Sequence, residues 1–282
     1  MNIKGSTNIV GLIGHPVEHS FSPPMHNAAF QSLGMDYAYV AFDVNPNDLK
    51  SAIEGADALN IKGFNVTIPH KIEVMQHLNE LDEVAQLIGA VNTIDFENLK
   101  GYNTDGIGAV RAIEEVSTIK GKNVVVAGAG GASRAISFYL AKFKAGSMTI
   151  LNRNVSKAHN LAGDISDSGL IGDVKSGSIS EIENYLPDAD ILVDTTPLGM
   201  DPHIDDDPIA EHDMMHEDLV VFDAVYNPNE TVLIRQAIMA GAKPVYGIKM
   251  LLYQGAESFK IWTGRDAPID VMQEALNKHL GR

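Results

Sequence analysis

Two alternating patterns of apolar and polar positions run along the chain of 282 residues. Short apolar runs are typical of buried strands, and longer stretches with an apolar residue every three or four positions are typical of helices. In the N-terminal part the pattern predicts strands over residues 8–13, 37–44, 61–66 and 91–96. It predicts helices over residues 22–34, 46–56, 69–78 and 81–88.

The alternation continues after residue 104. We predict strands over residues 123–127, 148–151, 190–194, 219–223 and 244–246. We predict helices over residues 104–116, 132–145, 230–240, 247–262 and 268–280, and a surface loop over 201–217. Strands that alternate with helices indicate an α/β fold with largely parallel sheets, and this length indicates two domains.

The composition narrows the class of protein. Acidic residues outnumber basic ones by 37 to 21, which gives a net charge of −16 and argues against a nucleic-acid-binding surface. The chain has no cysteine, so disulfides and thiolate chemistry are excluded. We find no apolar run of membrane-spanning length and no signal-peptide pattern, and we expect a cytoplasmic protein.

A glycine-rich segment points to a dinucleotide site. The predicted strand over 123–127 runs into Gly128, Ala129, Gly130, Gly131 and Ala132, and then into a helix. Glycines at this junction let the backbone turn tightly and approach a pyrophosphate, whose charge lies at the helix N-terminus. Ser133 occupies the third glycine position of the usual pattern.

The end of the next strand indicates which dinucleotide is bound. An NAD site usually has an acidic residue there for the ribose hydroxyl. This chain instead has Asn152, Arg153 and Asn154, with Lys157 shortly after. A guanidinium can bind a phosphate through two parallel hydrogen bonds, so the segment favours NADP over NAD. The alternative is that Arg153 and Lys157 are only solvated surface residues.

Three further segments place polar side chains at strand–helix junctions. Ser20 and Ser22 precede a predicted helix and could bind a carboxylate, although Ser22 could simply be the helix N-cap. Lys71 lies in the first turn predicted after Pro69, where the helix dipole favours proton release, although most lysines are ordinary surface residues. Asp105 precedes another helix and could be only its N-cap.

Two other groups of residues have a simple structural interpretation. Met250 and Gln254 are four positions apart on one side of a predicted helix, which is usually a surface arrangement. The histidines and acids of the 201–217 loop include possible metal ligands, but a solvated acidic loop is the simpler interpretation, and we expect no metal.

Taken together, these segments resemble the shikimate dehydrogenase family. The resemblance covers nearly the whole chain and rests on several motifs in the order of the family. They are Gly11–Pro16 with His19–Pro23, Asn65–Lys71, Gly89–Thr93, Asn103–Gly106, Gly128–Arg134, Asn152–Asn154, Thr196–Met200, Asp223–Pro228 and Met250–Ala256.

The resemblance implies two α/β domains with the active site in the cleft between them. A substrate domain would comprise residues 1–105 and the C-terminal helices over 250–282, and a Rossmann-type NADP-binding domain would comprise residues 106–249. It implies a cytoplasmic enzyme, monomeric or homodimeric, that reversibly reduces 3-dehydroshikimate to shikimate with NADPH.

The resemblance also implies roles for individual residues. Lys71 and Asp105 would form the catalytic pair. The substrate would contact Ser20, Ser22, Asn65, Thr67, Asn92, Tyr226 and Gln254. The cofactor would contact Gly128, Ala129, Gly130, Gly131, Ala132, Asn152, Arg153, Lys157, Thr196, Gly247 and Met250.

One residue departs from the family pattern, and two other functions stay open. Asp194 stands where the family more often has Asn, and its charge is expected to weaken nucleotide binding slightly. A broader quinate/shikimate dehydrogenase using NAD would need a carboxylate within 152–154, which is missing. A non-catalytic regulator that senses the substrate would be expected to lack Lys71 or Asp105, and both are present.

Overall fold

A computed structural model describes residues 3–280 of the chain. The chain divides into two compact units, each built around its own sheet. One unit comprises the chain up to Thr104 together with the segment from Gln254 onward, and the other comprises Asp105–Tyr253. No helix among residues 3–280 is long and apolar enough to cross a membrane.

The first unit contains a mixed sheet. Its strands are β1 (Asn8–Gly14), β2 (Tyr37–Asp43), β3 (Gly63–Val66), β4 (Glu80–Leu81), β5 (Thr93–Asp95) and β6 (Lys100–Tyr102). Their order is β2-β1-β3-β5-β6-β4, with β1 parallel to β2 and β3, and β5 antiparallel to β3 and β6. The helices before residue 104 are α1 (Ser22–Ser32), α2 (Leu49–Ala58) and α3 (Glu83–Ile88).

The second unit contains a parallel sheet. Its strands are β7 (Asn123–Ala127), β8 (Ser147–Asn152), β9 (Val174–Ser178), β10 (Ile191–Asp194), β11 (Val220–Asp223) and β12 (Lys243–Tyr246), in the order β12-β11-β10-β7-β8-β9. The remaining α-helices among the described residues are α4 (Asp105–Glu114), α5 (Gly131–Lys142), α6 (Val155–Asp167), α7 (Val232–Met239), α8 (Gly247–Thr263) and α9 (Ile269–His279). Strands β10 and β11 are buried along their whole length, as expected for central strands covered on both faces.

The predicted α/β class with two domains and a Rossmann-type sheet is confirmed, whereas several element boundaries differ. The helix predicted over 69–78 is only a 3₁₀ turn over Glu73–His77, preceded by irregular turns. The carbonyl of Lys71 accepts the N–H of Val91 at 2.8 Å, so it is not engaged in a helical hydrogen bond. Strands β4, β6 and β9 were not predicted because they are short or lie at sheet edges, where the apolar pattern is weak.

Gly106 allows α4 to lie close to α5. A Cβ atom at Gly106 would lie 2.3 Å from the carbonyl oxygen of Ala135. We expect Gly106→Ala to lower the free energy of unfolding by about 1–3 kcal/mol, because the two helix backbones must separate. Gly163→Ala is the matched control: Gly163 lies within α6 with no atom near its added Cβ, so alanine should be neutral or stabilising. Urea denaturation measures both variants, and equal stability changes would contradict this account.

Candidate active site

The serine pair lies in the loop between β1 and α1. Ser22 is the first residue of α1, and the N-cap position belongs to Phe21, which makes no capping hydrogen bond through its side chain. The interpretation of Ser22 as a helix N-cap is therefore wrong. Its side chain is buried near the hydroxyl of Tyr39, while Ser20 Oγ accepts the backbone N–H of Ser22 at 3.2 Å.

A buried hydrogen-bond network extends from this point through the first unit. The hydroxyl of Tyr39 donates to Asn65 Oδ1 at 2.8 Å. Asn65 Nδ2 donates to Ser258 Oγ at 2.9 Å and to Thr93 Oγ1 at 3.1 Å, and these two hydroxyls are 2.8 Å apart. Thr93 belongs to the Gly89–Thr93 motif, whereas no motif in the sequence indicated Tyr39 or Ser258. Hydroxyls at inward positions of otherwise apolar strands and helices were the available signal.

Asn92 holds the segment that leads into α4. Its Oδ1 accepts the backbone N–H of Thr104 at 2.7 Å, and its Nδ2 donates to Thr104 Oγ1 at 3.0 Å. Asp105 follows directly and is the first residue of α4, not the residue before it.

Lys71 lies in a loop that follows β3. The N–H of Thr67 bonds to the carbonyl of Ile13 at 2.9 Å, and the Lys71 carbonyl accepts the N–H of Val91 at 2.8 Å. The loop is thereby fixed to β1 on one side and to the segment before Asn92 on the other. Because no α-helix begins at Pro69, the predicted helix-dipole effect on Lys71 is wrong.

The glycine turn of the second unit is closed on its inner side and open on its outer side. Gly128 has φ +106°, and a Cβ there would lie 2.3 Å from Thr195 Oγ1. Ser133 Oγ donates to the carbonyl of Gly128 at 2.7 Å, so the serine at the third glycine position stabilises the turn. Gly130 is the N-cap of α5, and Cβ atoms at Gly130 and Gly131 would meet nothing within 4 Å. This open helix N-terminus fits a pyrophosphate.

The Asn152–Lys157 segment follows β8, the strand next to β7 in the sheet. Asn154 is the N-cap of α6, and its side chain accepts the N–H of Lys157 at 3.3 Å. The side chains of Arg153 and Lys157 are exposed, with no carboxylate in the 152–157 segment. An exposed cationic pair beside the glycine turn fits a 2′-phosphate.

Two carboxylates lie side by side under the Thr196 loop. Asp194 and Asp223 are paired residues at the carboxyl ends of β10 and β11, and both are buried. Asp194 Oδ1 accepts the N–H of Thr196 at 2.8 Å, and Asp223 accepts the Thr231 hydroxyl at 2.5 Å. Burial, together with the neighbouring Asp223, raises the pKa of Asp194 well above its usual range, and burial raises the pKa of Asp223 to about 6.

Helix α8 carries three of the predicted site residues. Gly247 begins it, and a Cβ there would lie 2.5 Å from the carbonyl oxygen of Val225. Met250 is half-buried, whereas Gln254 is buried with 8% exposure, so the surface interpretation of Gln254 is wrong. The Gln254 carbonyl accepts the Ser258 hydroxyl at 3.0 Å, which places Gln254 beside the buried network. Tyr226 is exposed and lies in the loop that follows β11.

The first unit therefore brings together Ser20, Ser22, Asn65, Asn92 and Gln254, while the second brings together the glycine turn, the Arg153 segment and the Thr196 loop. Lys71 belongs to the first unit and Asp105 begins the second, and their pairing stays a prediction. Among residues 3–280 no group of three or more histidine or acidic side chains is arranged to hold a metal ion.

The parallel sheet, its glycine turn and the basic segment after the second strand define a dinucleotide-binding oxidoreductase of two α/β domains. The chain belongs to the shikimate dehydrogenase family. Residues 12–94 match the shikimate dehydrogenase substrate binding domain, residues 111–228 match shikimate / quinate 5-dehydrogenase, and residues 247–276 match the shikimate 5'-dehydrogenase C-terminal domain.

Whole-length relatives carry the same family name. The chain is 68% identical over 278 residues to the NADP(+) shikimate dehydrogenase of Methanobrevibacter smithii, with 99% of each chain covered. It is 53% identical over 282 residues to that of Methanothermobacter thermautotrophicus, again with 99% of each covered.

Solved structures agree in fold and differ in ligand. A crystal structure of a shikimate dehydrogenase in complex with NADP+ superposes with a TM-score of 0.93 at 52% identity, covering 98% of this chain and 97% of that one. The Listeria monocytogenes enzyme in complex with shikimate and NAD gives 0.93 at 35% identity and 98% coverage of both. A quinate dehydrogenase from Corynebacterium glutamicum in complex with NAD gives 0.89 at 30% identity, covering 96% and 99%.

The carboxylate pair predicts a pH-dependent stability. Raised pKa values mean that the folded protein binds more protons than the unfolded chain, so stability is lost as pH rises from about 4 through the folded pKa values. Asp194→Asn removes one charge and keeps an oxygen for the Thr196 N–H. We expect the variant to be more stable than the wild type at pH 8, with a smaller difference at pH 5.

Thermal unfolding at several pH values measures this effect. Asp218→Asn is the control, since Asp218 is exposed and forms only a surface pair with Lys243. A stability difference for Asp194→Asn that does not change between pH 5 and pH 8 would contradict the shared burial of charge.

Proposed function

We propose that this chain catalyses the NADP-dependent, reversible reduction of 3-dehydroshikimate to shikimate. The observation that carries the proposal is the polar set of the first unit. Ser22, Asn65, Asn92 and Gln254 are all buried, and the side chains of Asn65 and Asn92 are hydrogen-bonded to a common group of hydroxyls. Buried polar groups of this kind suit a small, hydroxylated, carboxylate-bearing substrate.

The proposed substrate contacts follow from the hydrogen-bond donors and acceptors that these side chains offer. Ser20 and Ser22 at the start of α1 would bind the substrate carboxylate, and Thr67, Asn92, Tyr226 and Gln254 would contact other substrate groups. Asn65 already directs Nδ2 to acceptors on Asn92, Thr93 and Ser258. Its Oδ1 has a second lone pair beyond the one used by Tyr39, so Asn65 would accept a hydrogen bond from a substrate hydroxyl.

The proton-transfer roles fall to Lys71 and Asp105. Reduction of a ketone places negative charge on its oxygen, and a positioned ammonium stabilises that charge and supplies the proton. Asp105 would bond to the same hydroxyl or to Lys71 and thereby orient the proton donor.

The cofactor would lie along the second unit. NADP(H) supplies the hydride when bound. Gly128, Ala129, Gly130, Gly131 and Ala132 would hold its pyrophosphate. Asn152, Arg153 and Lys157 would hold its 2′-phosphate, and Thr196, Gly247 and Met250 would line its nicotinamide portion.

The setting of the enzyme is part of the same proposal. We infer a cytoplasmic protein from the lack of cysteine, and no nucleic-acid partner from the net charge of −16. We expect a monomer or a homodimer, which sedimentation velocity would distinguish.

Cofactor choice gives the first test. We expect the wild type to reduce NADP+ with shikimate much faster than NAD+, monitored by absorbance at about 340 nm, a wavelength characteristic of reduced nicotinamide. Arg153→Ala should weaken NADP+ binding by about 1.5–3 kcal/mol and leave NAD+ use unchanged, because it removes a charge-assisted contact to phosphate. Arg235→Ala, an exposed arginine of α7, is the control.

Equal use of both cofactors by the wild type would contradict the assignment of Arg153. Quinate is assayed alongside shikimate, because the broader alternative enzyme would turn over both. Absence of turnover with either substrate would favour the non-catalytic regulator.

The catalytic pair gives the second test. Lys71→Ala should lower kcat by about 10²–10⁴-fold with a much smaller effect on KM, since the developing oxyanion needs the ammonium more than the ketone does. Asp105→Asn should also lower kcat, and the double variant should lose less than the product of the two losses. Lys50→Ala, an exposed residue of α2, should behave as the wild type. A near-normal kcat for Lys71→Ala would refute the catalytic role.

A further inference from the structure

Tyr39 lies directly behind the proposed substrate side chains. It is 2% exposed, so it is screened from solvent, yet its hydroxyl bonds to one of them. Its single hydroxyl hydrogen is donated to Asn65 Oδ1 at 2.8 Å.

The Tyr39 hydroxyl and the Asn92 carbonyl together hold the Asn65 amide in one orientation. An amide can be turned over, which exchanges its oxygen and its nitrogen. Turned over, Asn65 would present Nδ2 to the Tyr39 hydroxyl and Oδ1 to the carbonyl of Asn92, which now accepts Nδ2 at 3.2 Å. Two oxygens facing each other without a hydrogen are strongly unfavourable in a buried site. The Asn92 carbonyl thus excludes the turned-over amide, and the Tyr39 hydroxyl holds Oδ1 in the position from which Asn65 can accept a substrate hydroxyl.

The Tyr39 ring is itself held by aromatic contacts. The imidazole of His26 on α1 is stacked on it, with ring centroids 4.5 Å apart and an interplanar angle of 1°. The indole of Trp262 approaches at 6.1 Å and is anchored by a 2.9 Å hydrogen bond from its Nε1 to the carbonyl of Ile94. Complete burial lowers the pKa of His26 to about 3, so the stacked imidazole is neutral at physiological pH. The contact is therefore one between two uncharged rings.

We propose that Tyr39 is a positioning residue of the active site, which orients Asn65 toward a substrate hydroxyl, and that the stacked ring of His26 holds Tyr39 in place. This proposal rests on the proposed function, because it takes Asn65 to be a substrate contact. Tyr39 itself touches no reacting atom.

Tyr39→Phe tests the orienting hydroxyl, because it keeps the ring and its stack. We expect the KM for shikimate to rise roughly 3–10-fold, the worth of one neutral hydrogen bond. The KM for NADP+ and kcat should stay within about twofold, because the substituted side chain acts on substrate binding alone. Tyr37→Phe is the matched control: it makes the same change on the same strand, where the ring stacks on Phe30 at 5.0 Å. Its kinetics should match those of the wild type.

A double variant separates positioning from a general loosening of the fold. If Tyr39 acts through Asn65, the combination Tyr39→Phe with Asn65→Ala should raise the KM no further than Asn65→Ala alone. His26→Phe should keep the wild-type KM because the ring is retained, whereas His26→Ala should raise it as Tyr39→Phe does. Should His26→Ala fail to fold, His26→Phe and the double variant still decide the question.

The outcomes distinguish this proposal from the proposed function. An unchanged KM for Tyr39→Phe in an active enzyme, additive effects in the double variant, or a rise in KM for shikimate and NADP+ together would overturn the positioning role alone. Inactivity of the wild type and of Tyr37→Phe toward shikimate would overturn the proposed function, and the positioning role with it.

Discussion

The requirement that buried polar groups keep their hydrogen bonds governs the candidate substrate site. Asn65, Thr93, Thr104 and Ser258 all lie in the interior of the first unit, where water cannot compensate for a lost partner. Each of the four side chains is hydrogen-bonded to at least two of the others. The hydrogen-bond donors and acceptors that remain are the ones available to a ligand. If one partner were missing, the unpaired buried groups would make the folded protein less stable than an apolar core would. The residues of the network therefore depend on one another.

Close approach of backbones plays the same part in the second unit. At Gly106 and Gly247 a Cβ atom would lie within 2.5 Å of a backbone carbonyl oxygen, so the close approach requires glycine. At Gly128 a Cβ atom would lie 2.3 Å from Thr195 Oγ1, and the backbone there has φ +106°. At Gly130 and Gly131 the situation is reversed, because the space beside the backbone is open. The first group shapes the scaffold, and the second leaves room at a helix N-terminus for an anion.

The buried Asp194–Asp223 pair orders the loops at the carboxyl ends of β10 and β11, but it places two carboxylates close together. Each side chain accepts a hydrogen bond from the loop that follows its strand: Asp194 from the N–H of Thr196, and Asp223 from the N–H of Val225. Their burial disfavours the charged forms, so the pair retains protons at a pH where exposed carboxylates have lost theirs. The charge expected from Asp194 in the sequence is therefore reduced by the fold.

The sequence by itself determined the α/β class, the two-domain organisation, most helices and strands, the glycine turn and the NADP cofactor, because each depends on local pattern. Apolar periodicity identifies covered strands, and the glycine turn and the Arg153 segment each occupy a few consecutive positions. The turn around Lys71 could not be predicted from the local pattern, because the carbonyl of Lys71 is hydrogen-bonded to the N–H of Val91, twenty positions away. Likewise the sequence gives no sign that Ser22 lies near Tyr39, that Gln254 is buried, or that Ser258 forms a hydrogen bond with Asn65. Only the tertiary structure decided these contacts, since a hydrogen bond between distant residues depends on how the elements pack and not on the residues beside them.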